Sequence, residues 1–169
     1  MYPSFIIEYG VAPHHLSKEV FIGIVKWLRE TRVEAKHTGR KLEADALKIV
    51  INRIYGALND AMDYLYDPEC TYTVTINLQL LLCGLIEAFE LNNFDVLSAN
   101  TDGLLVRLPL NRQGVFKHIC NEWSAYSKLD LETEKFEKYC RSAVNDYIAV
   151  GYGFYDALQE YNRCGVWID

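Results

Sequence analysis

Cysteine motifs are missing from this sequence. The five cysteines are Cys70, Cys83, Cys120, Cys140 and Cys164. No two of them have the spacing of a zinc site or a redox motif. Scattered cysteines of this kind are typical of small buried apolar residues in a reducing compartment, so we expect a cytoplasmic location.

The sequence also has no signal peptide, no low-complexity tract and no long apolar run. Met1 is followed at once by Tyr-Pro-Ser, without the charged start of a secretory signal. With 24% charged and 50% hydrophobic residues, the composition argues against disorder. The longest apolar run, around residues 78–86, is broken by Gln79 and Gly84. It is shorter than the roughly 20 residues that span a bilayer, so we expect no membrane partner.

The sequence has enough apolar residues to form one core, and its charges are unevenly distributed. The 169 residues amount to roughly one domain. The net charge of −6 argues by itself against a nucleic-acid partner. However, nearly half of the 17 Lys and Arg lie within residues 26–53. A local basic patch is a more specific signal than the average charge.

Hydrophobic spacing predicts an α+β fold. Residues 2–9 are expected to be extended, as in a strand, and residues 11–16 to form a loop. The predicted helices span about 17–36, 41–57, 71–91 and 112–126. The predicted strands flank residues 100–103 and lie at 129–133, within 139–150 and at 165–168. This order of elements is typical of an α+β domain.

The Asn-Thr-Asp-Gly sequence at residues 100–103 lies between two apolar runs and predicts the tip of a β-hairpin. Asp and Gly tolerate the backbone angles of such a turn. The carboxylate of Asp102 at this tip would point out of the sheet, where a divalent cation can reach it. A plain surface turn has the same pattern, so the hairpin alone leaves both interpretations open.

The first basic helix carries its cations on one face. Arg29, Arg32 and Lys36 recur at intervals of three and four residues. These cations repel one another unless an anion lies opposite. A solvated face, with Glu30 and Glu34 as partial partners, is the alternative.

The following helix places Lys48, Asn52 and Tyr55 on one face, because they are spaced by four and three residues. A cation, an amide and an aromatic ring in one line suit a phosphate, a sugar and a base edge. We expect the two helices to form an antiparallel pair whose polar faces are available to one anionic ligand.

Three separated segments together resemble the family B (α-like) DNA polymerases of bacteriophage type, through their order and spacing. Residues 1–7, Met-Tyr-Pro-Ser-Phe-Ile-Ile, are similar to the end of motif A, D-x-x-S-L-Y-P-S-I-I. Residues 48–56, Lys-Ile-Val-Ile-Asn-Arg-Ile-Tyr-Gly, resemble motif B, K-x-x-x-N-S-x-Y-G. Residues 98–103, Ser-Ala-Asn-Thr-Asp-Gly, resemble motif C, Y-x-D-T-D-S. Arg32 and Lys36 also match the R-x-x-x-K pair of the family's preceding fingers helix.

The resemblance implies a role for each matched residue. The implied nucleotide-binding residues are Tyr2, Arg32, Lys36, Lys48, Asn52 and Tyr55. Tyr2 would be the steric gate against ribonucleotides, and Tyr55 would lie near the nascent base pair. Asp102 would be the catalytic residue and a metal ligand. Further candidates are Gly56, Asn100, Thr101 and, for contact with the duplex backbone, Arg163.

The resemblance also implies an architecture, a polymerase palm with an antiparallel sheet packed with helices and a short two-helix fingers insertion. The expected divisions are palm after motif A at 1–16, fingers at 17–58, palm at 59–150, and palm end or start of the thumb at 151–169. The function would be template-directed DNA synthesis in phage replication, with primer-template DNA and dNTPs as partners in the host cytoplasm. Two Mg²⁺ ions, roughly 3.5–4 Å apart, would activate the primer 3′-hydroxyl and hold the triphosphate.

The sequence departs from the family pattern at the metal site. The motif A aspartate would lie before Met1, so one bridging carboxylate is absent from this chain. Asn100 replaces the first aspartate of motif C, and Arg53 replaces the serine of motif B. We expect the exonuclease domain and most of the thumb of the parent polymerase to be absent too. We therefore expect an incomplete magnesium site and a chain that is inactive alone.

Three other interpretations remain. The chain could be a non-catalytic remnant that binds nucleotide or primer-template DNA through Arg32, Lys36 and Lys48, with Asp102 dispensable. A reverse-transcriptase-like palm would keep the chemistry, but Tyr2-Pro-Ser and the K-x-x-x-N-x-x-Y-G helix argue against it. An unrelated α+β domain would have to match three ordered motifs by chance.

Overall fold

The structure is a computed structural model that describes residues 2–101, 103–143, 146–151 and 161–168 of the chain. The described residues form five α-helices and five β-strands, which confirms the predicted α+β fold. The chain divides into two compact units, residues 1–78 and residues 79–169.

The observed elements follow the predicted order closely. The helices are α1 (Tyr2–Tyr9), α2 (Lys18–His37), α3 (Lys41–Leu58), α4 (Pro68–Leu91) and α5 (Gln113–Ser127). The strands are β1 (Asp95–Ala99), β2 (Gly103–Pro109), β3 (Leu131–Ala143), β4 (Asp146–Gly151) and β5 (Tyr161–Ile168). All four predicted helices and both hairpin strands are confirmed within a few residues.

The first segment is a helix, so the expectation of a strand over residues 2–9 is wrong. Pro3 falls in the first turn of α1, where the N–H that proline lacks would have no partner within the helix. Phe5 and Ile6 are each only 2% exposed, and Tyr9 stacks on Phe5 with 4.4 Å between ring centroids. Gly10, with a φ of 64°, follows the helix. A short apolar run suits a strand or a buried helix equally, and here packing decides.

Helices α2 and α3 pack against each other across a short turn, as predicted. α2 begins after Ser17, with Glu19 in its first turn, where a negative charge is favourable. The N–H of Arg40 donates to the carbonyl of Ala35 at 2.9 Å, and the intervening Gly39 has a φ of 75°. Glycine is preferred in this helix-ending geometry because it has no Cβ to clash. The chain therefore turns back at Gly39.

The loop after α1 is fixed to the start of α4 by Asp67. Its buried carboxylate accepts hydrogen bonds from the N–H of His14 (2.8 Å), from His14 Nδ1 (2.8 Å) and from the N–H of Cys70 (2.9 Å). Burial alone would raise the pKa of Asp67, but these hydrogen bonds outweigh it and lower the pKa from 3.8 to about 2. The hydrogen bond to Asp67, followed by the negative charges of Asp67 and Glu69, raises the pKa of His14.

Helix α4 carries a buried apolar stripe and is long. Val74, Leu78, Leu85 and Phe89 are buried, at the helical spacing that the sequence predicts. Among the described residues, α4 is the one helix long and apolar enough to cross a membrane by length and composition, and 28% of its apolar window is buried. The expectation of no membrane partner rested on a shorter apolar run, and it stays a prediction.

In the second unit, the five strands form one antiparallel sheet in the order β1-β2-β5-β3-β4. β1 and β2 form the predicted hairpin, with Ala99 opposite Leu104 and Asp95 opposite Arg107. The predicted strand at 129–133 continues to Ala143 as β3. β5 is longer than the predicted 165–168 and lies in the centre of the sheet, between β2 and β3.

An aromatic cluster joins α5 to the end of α4. The ring of Phe116 stacks on Phe89 at 5.2 Å between centroids, and Phe94 meets Phe89 edge-on at 5.6 Å. Trp123 Nε1 donates a hydrogen bond to the carbonyl of Leu81 at 2.8 Å. These contacts fix α5 against the C-terminal half of α4.

We predict that Asp67→Ala lowers the free energy of unfolding by about 1–2 kcal/mol, because it removes the cap of α4. Asp67→Asn should cost less, because asparagine also caps helices well, and it removes only the charge. Urea unfolding followed by circular dichroism measures both variants.

The pH dependence separates the charge of Asp67 from its cap. Because the pKa of His14 is raised, its contribution to stability is fully present below pH 6.5 and is lost as the pH rises through the folded pKa. Because the pKa of Asp67 is lowered, its contribution is present above pH 3.8 and is lost as the pH falls through about 2. Both contributions should be missing in Asp67→Asn and retained in His118→Ala, which changes an exposed histidine of α5. Identical pH profiles for wild type and Asp67→Asn would contradict this account.

Candidate functional site

The predicted site residues fall into two groups, one in each unit. The group in the first unit is Tyr2, Arg32, Lys36, Lys48, Asn52, Tyr55 and Gly56. The group in the second unit is Asn100, Thr101, Asp102 and Arg163. Asp102, predicted as the catalytic residue and metal ligand, lies outside the described residues.

The rings of Tyr2 and Tyr55 are stacked. Their centroids are 3.9 Å apart and their planes differ by 3°. Tyr2 opens α1 and Tyr55 lies near the end of α3, so the stack joins the segments that resemble motifs A and B. Both side chains are partly exposed, which leaves an aromatic surface accessible to a ligand.

The hydroxyl of Tyr55 is fixed by α4. Tyr55 Oη and Thr75 Oγ1 are hydrogen-bonded, and Thr75 Oγ1 also donates to the carbonyl of Thr71 at 2.8 Å. Because the single hydroxyl hydrogen of Thr75 goes to Thr71, Tyr55 must be the donor to Thr75. The ring is therefore held on one face by Tyr2 and at its tip by Thr75. No signal in the sequence indicates Thr75, because it lies on a different helix.

Lys48, Asn52 and Tyr55 lie along one side of the continuous helix α3, next to the buried Ile51. Lys48 and Asn52 are exposed, and Tyr55 is half-buried. Gly56 adjoins this line, and a Cβ added there would meet no atom within 4 Å. The space beside Gly56 is therefore open, and no neighbour in the described chain requires a glycine there.

Two further cations of the helix pair α2–α3, Arg53 and Arg40, form ion pairs with carboxylates. Arg53 contacts Asp63 at 2.8 Å and Asp60 at 3.4 Å, in the connection that follows α3. Arg40 contacts Glu43 at 2.9 Å. The replacement of the motif B serine by Arg53 thus has a structural explanation, since its guanidinium anchors this connection.

The acids expected to screen the basic face of α2 have other partners. Glu30 contacts Lys26 at 3.9 Å, and Glu34 contacts Arg40 at 3.3 Å. The interpretation of that face as simply solvated and screened by these two acids is weakened accordingly.

Arg32, Lys36 and Lys48 differ from these paired cations. Within the ranges that the structure describes, none of the three forms an ion pair or a side-chain hydrogen bond. Lys36 and Lys48 are exposed, and Arg32 is half-buried. The helix pair thus offers three positive groups to an anionic ligand, and the Tyr2–Tyr55 stack lies in the same unit.

A backbone hydrogen bond links the two strands of the hairpin next to its tip in the second unit. The N–H of Asn100 donates to the carbonyl of Gly103 at 2.9 Å. Asn100 is half-buried and Thr101 is exposed. Arg107 and Asp95 pair at 2.9 Å at the other end of the hairpin. The pairing of β1 with β2 confirms the hairpin that the sequence predicts.

The β3–β4 segment packs beside this hairpin. Arg141 donates a hydrogen bond to Ser98 Oγ on β1. Tyr139 stacks on Tyr147 of β4 with 5.2 Å between centroids. Sequence reasoning missed the contact of Arg141 with Ser98, because the two residues are 43 positions apart and no local pattern links them.

The described residues do not complete a magnesium site. Across the described ranges, no group of three His, Cys, Asp or Glu side chains could hold a metal ion. The described tip supplies only the Asn100 amide and the Thr101 hydroxyl, which are weak ligands for Mg²⁺ compared with carboxylates. Arg163, the candidate for duplex contact, lies in β5 with its backbone opposite Arg107 and Phe136.

Comparison with known proteins relates part of this chain to a DNA polymerase. No protein-family model matches the sequence. The chain is similar to DNA polymerase II of Escherichia coli (strain K12), with 31% identity over 77 residues. That stretch covers 46% of this chain and 10% of the relative, so the chain spans about a tenth of the relative's length. The similarity supports a resemblance to family B DNA polymerases.

Proposed function

We propose that this chain is the palm and fingers part of a family B DNA polymerase of bacteriophage type. In a longer polymerase it would carry out template-directed DNA synthesis, transferring nucleotides from dNTPs to a primer 3′-hydroxyl. The observation that carries the proposal is the stack of Tyr2 on Tyr55. It brings together two segments, far apart in the sequence, that separately resemble motifs A and B.

In this proposal the helix pair binds the dNTP. Lys48, Arg32 and Lys36 offset the charge of the triphosphate, whose pyrophosphate leaving group gains negative charge as the primer 3′-oxygen bonds to the α-phosphate and the bond between the α-phosphate and pyrophosphate breaks. Tyr2 and Tyr55 lie against the sugar and base. Because Tyr55 is anchored through Thr75, the platform needs little ordering when the nucleotide binds.

The reaction also needs two metal ions, which would activate the primer hydroxyl and neutralise the triphosphate. Asp102 is the proposed ligand in this chain. The second carboxylate would be the motif A aspartate, which is not among these 169 residues. A polypeptide of these residues alone would therefore bind substrate without transferring it. Its partners would be dNTPs and primer-template DNA in the host cytoplasm.

A nucleotide-binding remnant is the second candidate. It is favoured by the three cations without a partner among the described residues, because they can bind phosphate whether or not Asp102 holds a metal ion. The two candidates differ in the Mg²⁺ dependence of nucleotide binding.

We predict that the 169-residue chain does not extend a primed template with Mg²⁺ and dNTPs. The physical reason is that one carboxylate cannot hold both metal ions at the required separation. A fusion in which an Asp-x-x-Ser-Leu segment precedes Tyr2 should bind Mg²⁺ more tightly than the chain alone, and Asp102→Ala should abolish that gain. Robust primer extension by the chain alone would refute the proposal.

We further predict that Lys48→Ala weakens binding of dATP about tenfold, because it removes one charge-assisted contact to the triphosphate. Lys26→Ala is the matched control, since Lys26 is an exposed cation of α2 already paired with Glu30. Isothermal titration calorimetry measures both variants. Equal affinities for wild type and Lys48→Ala would argue against a triphosphate site on α3.

The same titration with and without Mg²⁺ separates the two candidates. A polymerase site predicts that Mg²⁺ strengthens binding and that Asp102→Ala removes this effect. Nucleotide binding that is unchanged by Mg²⁺ and by Asp102→Ala, but is weakened by Lys48→Ala, would favour the remnant.

A further inference from the structure

A groove lies between α5 and β3 in the second unit and has a volume of about 300 Å³. Its helical side includes Phe116, Lys117, Cys120 and Asn121, which are spaced by one, three and one positions and so share one side of α5. Its strand side includes Thr133 and Lys135, alternate residues that share one face of β3. We call this the α5–β3 groove. Its volume lies at the lower end of the range for small-molecule sites.

The floor of the α5–β3 groove is apolar and fixed. Leu108, Phe116 and Cys120 are between 2% and 8% exposed. Phe116 cannot easily turn aside, because its ring stacks on Phe89. A preformed apolar floor favours a ligand with a flat or extended apolar body, since little reorganisation is needed on binding.

The rim of the α5–β3 groove is positive. Lys117 and Lys135 line it, and no carboxylate does among the residues that the structure describes. Successive side chains of β3 point to opposite faces of the sheet, so Glu132 and Glu134 lie on the face opposite Lys135. In a chain of net charge −6, two cations gathered without an acid favour an anionic ligand.

We propose that the α5–β3 groove binds a small phosphate monoester with an apolar body. The apolar part would lie on Phe116 and Leu108, and the phosphate would meet Lys117 and Lys135. Nucleotides and alkyl phosphates share this chemistry. The proposal does not depend on polymerase activity, since no residue of the groove belongs to the three motifs.

The test uses 2-naphthyl phosphate and the full chain in isothermal titration calorimetry. We expect one saturable site for this probe. 2-Naphthol, which lacks the anion, and inorganic phosphate, which lacks the apolar body, should each bind at least about tenfold more weakly. Displacement of the probe by dAMP would assign the site to nucleotides, and displacement by dodecyl phosphate would assign it to alkyl phosphates. Displacement by neither would overturn the proposal.

Two double variants locate the binding site. Lys117→Ala/Lys135→Ala should weaken probe binding at least about tenfold, and Lys26→Ala/Lys41→Ala, which changes two lysines outside both proposed sites, should leave it unchanged. All four lysines are exposed, so both variants should unfold at the same urea concentration as wild type. An unchanged affinity in the first variant, or a loss in the second variant alone, would overturn the proposal. A failure of the polymerase proposal would leave these results unaffected.

Discussion

The first unit depends on the way in which Tyr55 is held. Its ring lies flat against Tyr2, and its hydroxyl donates to Thr75, so that α1, α3 and α4 meet at one side chain. Because both the face and the hydroxyl of this half-buried tyrosine are already in contact with other residues, its side chain loses little rotational freedom when a ligand binds. The same contacts leave part of both rings exposed. One arrangement thus supplies local rigidity and an accessible aromatic surface, which is what a nucleotide platform requires.

The cations of the helix pair α2–α3 fall into two groups, those that pair with carboxylates and those that do not within the described chain. Arg40 and Arg53 pair with carboxylates close to the ends of α3, where they help to define the turn before it and the connection after it. Exposed pairs of this kind contribute little to stability, but they fix where a side chain lies. Arg32, Lys36 and Lys48 are kept apart from these pairs within the described chain. In the proposed function, these three cations bind an external anion, the triphosphate of a dNTP.

Local patterns predicted most of the helices and the hairpin, because caps, glycine turns and apolar spacing act over a few residues. Gly39 and the tip at residues 100–103 are examples. The same reasoning was wrong for α1, because a short apolar run suits a strand or a buried helix. It could not find the contact of His14 with Asp67, 53 positions away, or that of Tyr55 with Thr75, 20 positions away. Such pairs depend on tertiary packing, which no local pattern records. The roles of Asp102 and magnesium stay predictions.

The central claim is that the Tyr2–Tyr55 stack is the surface on which the sugar and base of a dNTP lie. Its most direct measurement compares the affinities for dATP and ATP of the wild-type chain, of Tyr2→Ala and of Tyr9→Ala, an exposed tyrosine of the same helix that stacks on Phe5. The account predicts that wild type and Tyr9→Ala prefer dATP, and that Tyr2→Ala binds both nucleotides equally. An unchanged preference in Tyr2→Ala would contradict it.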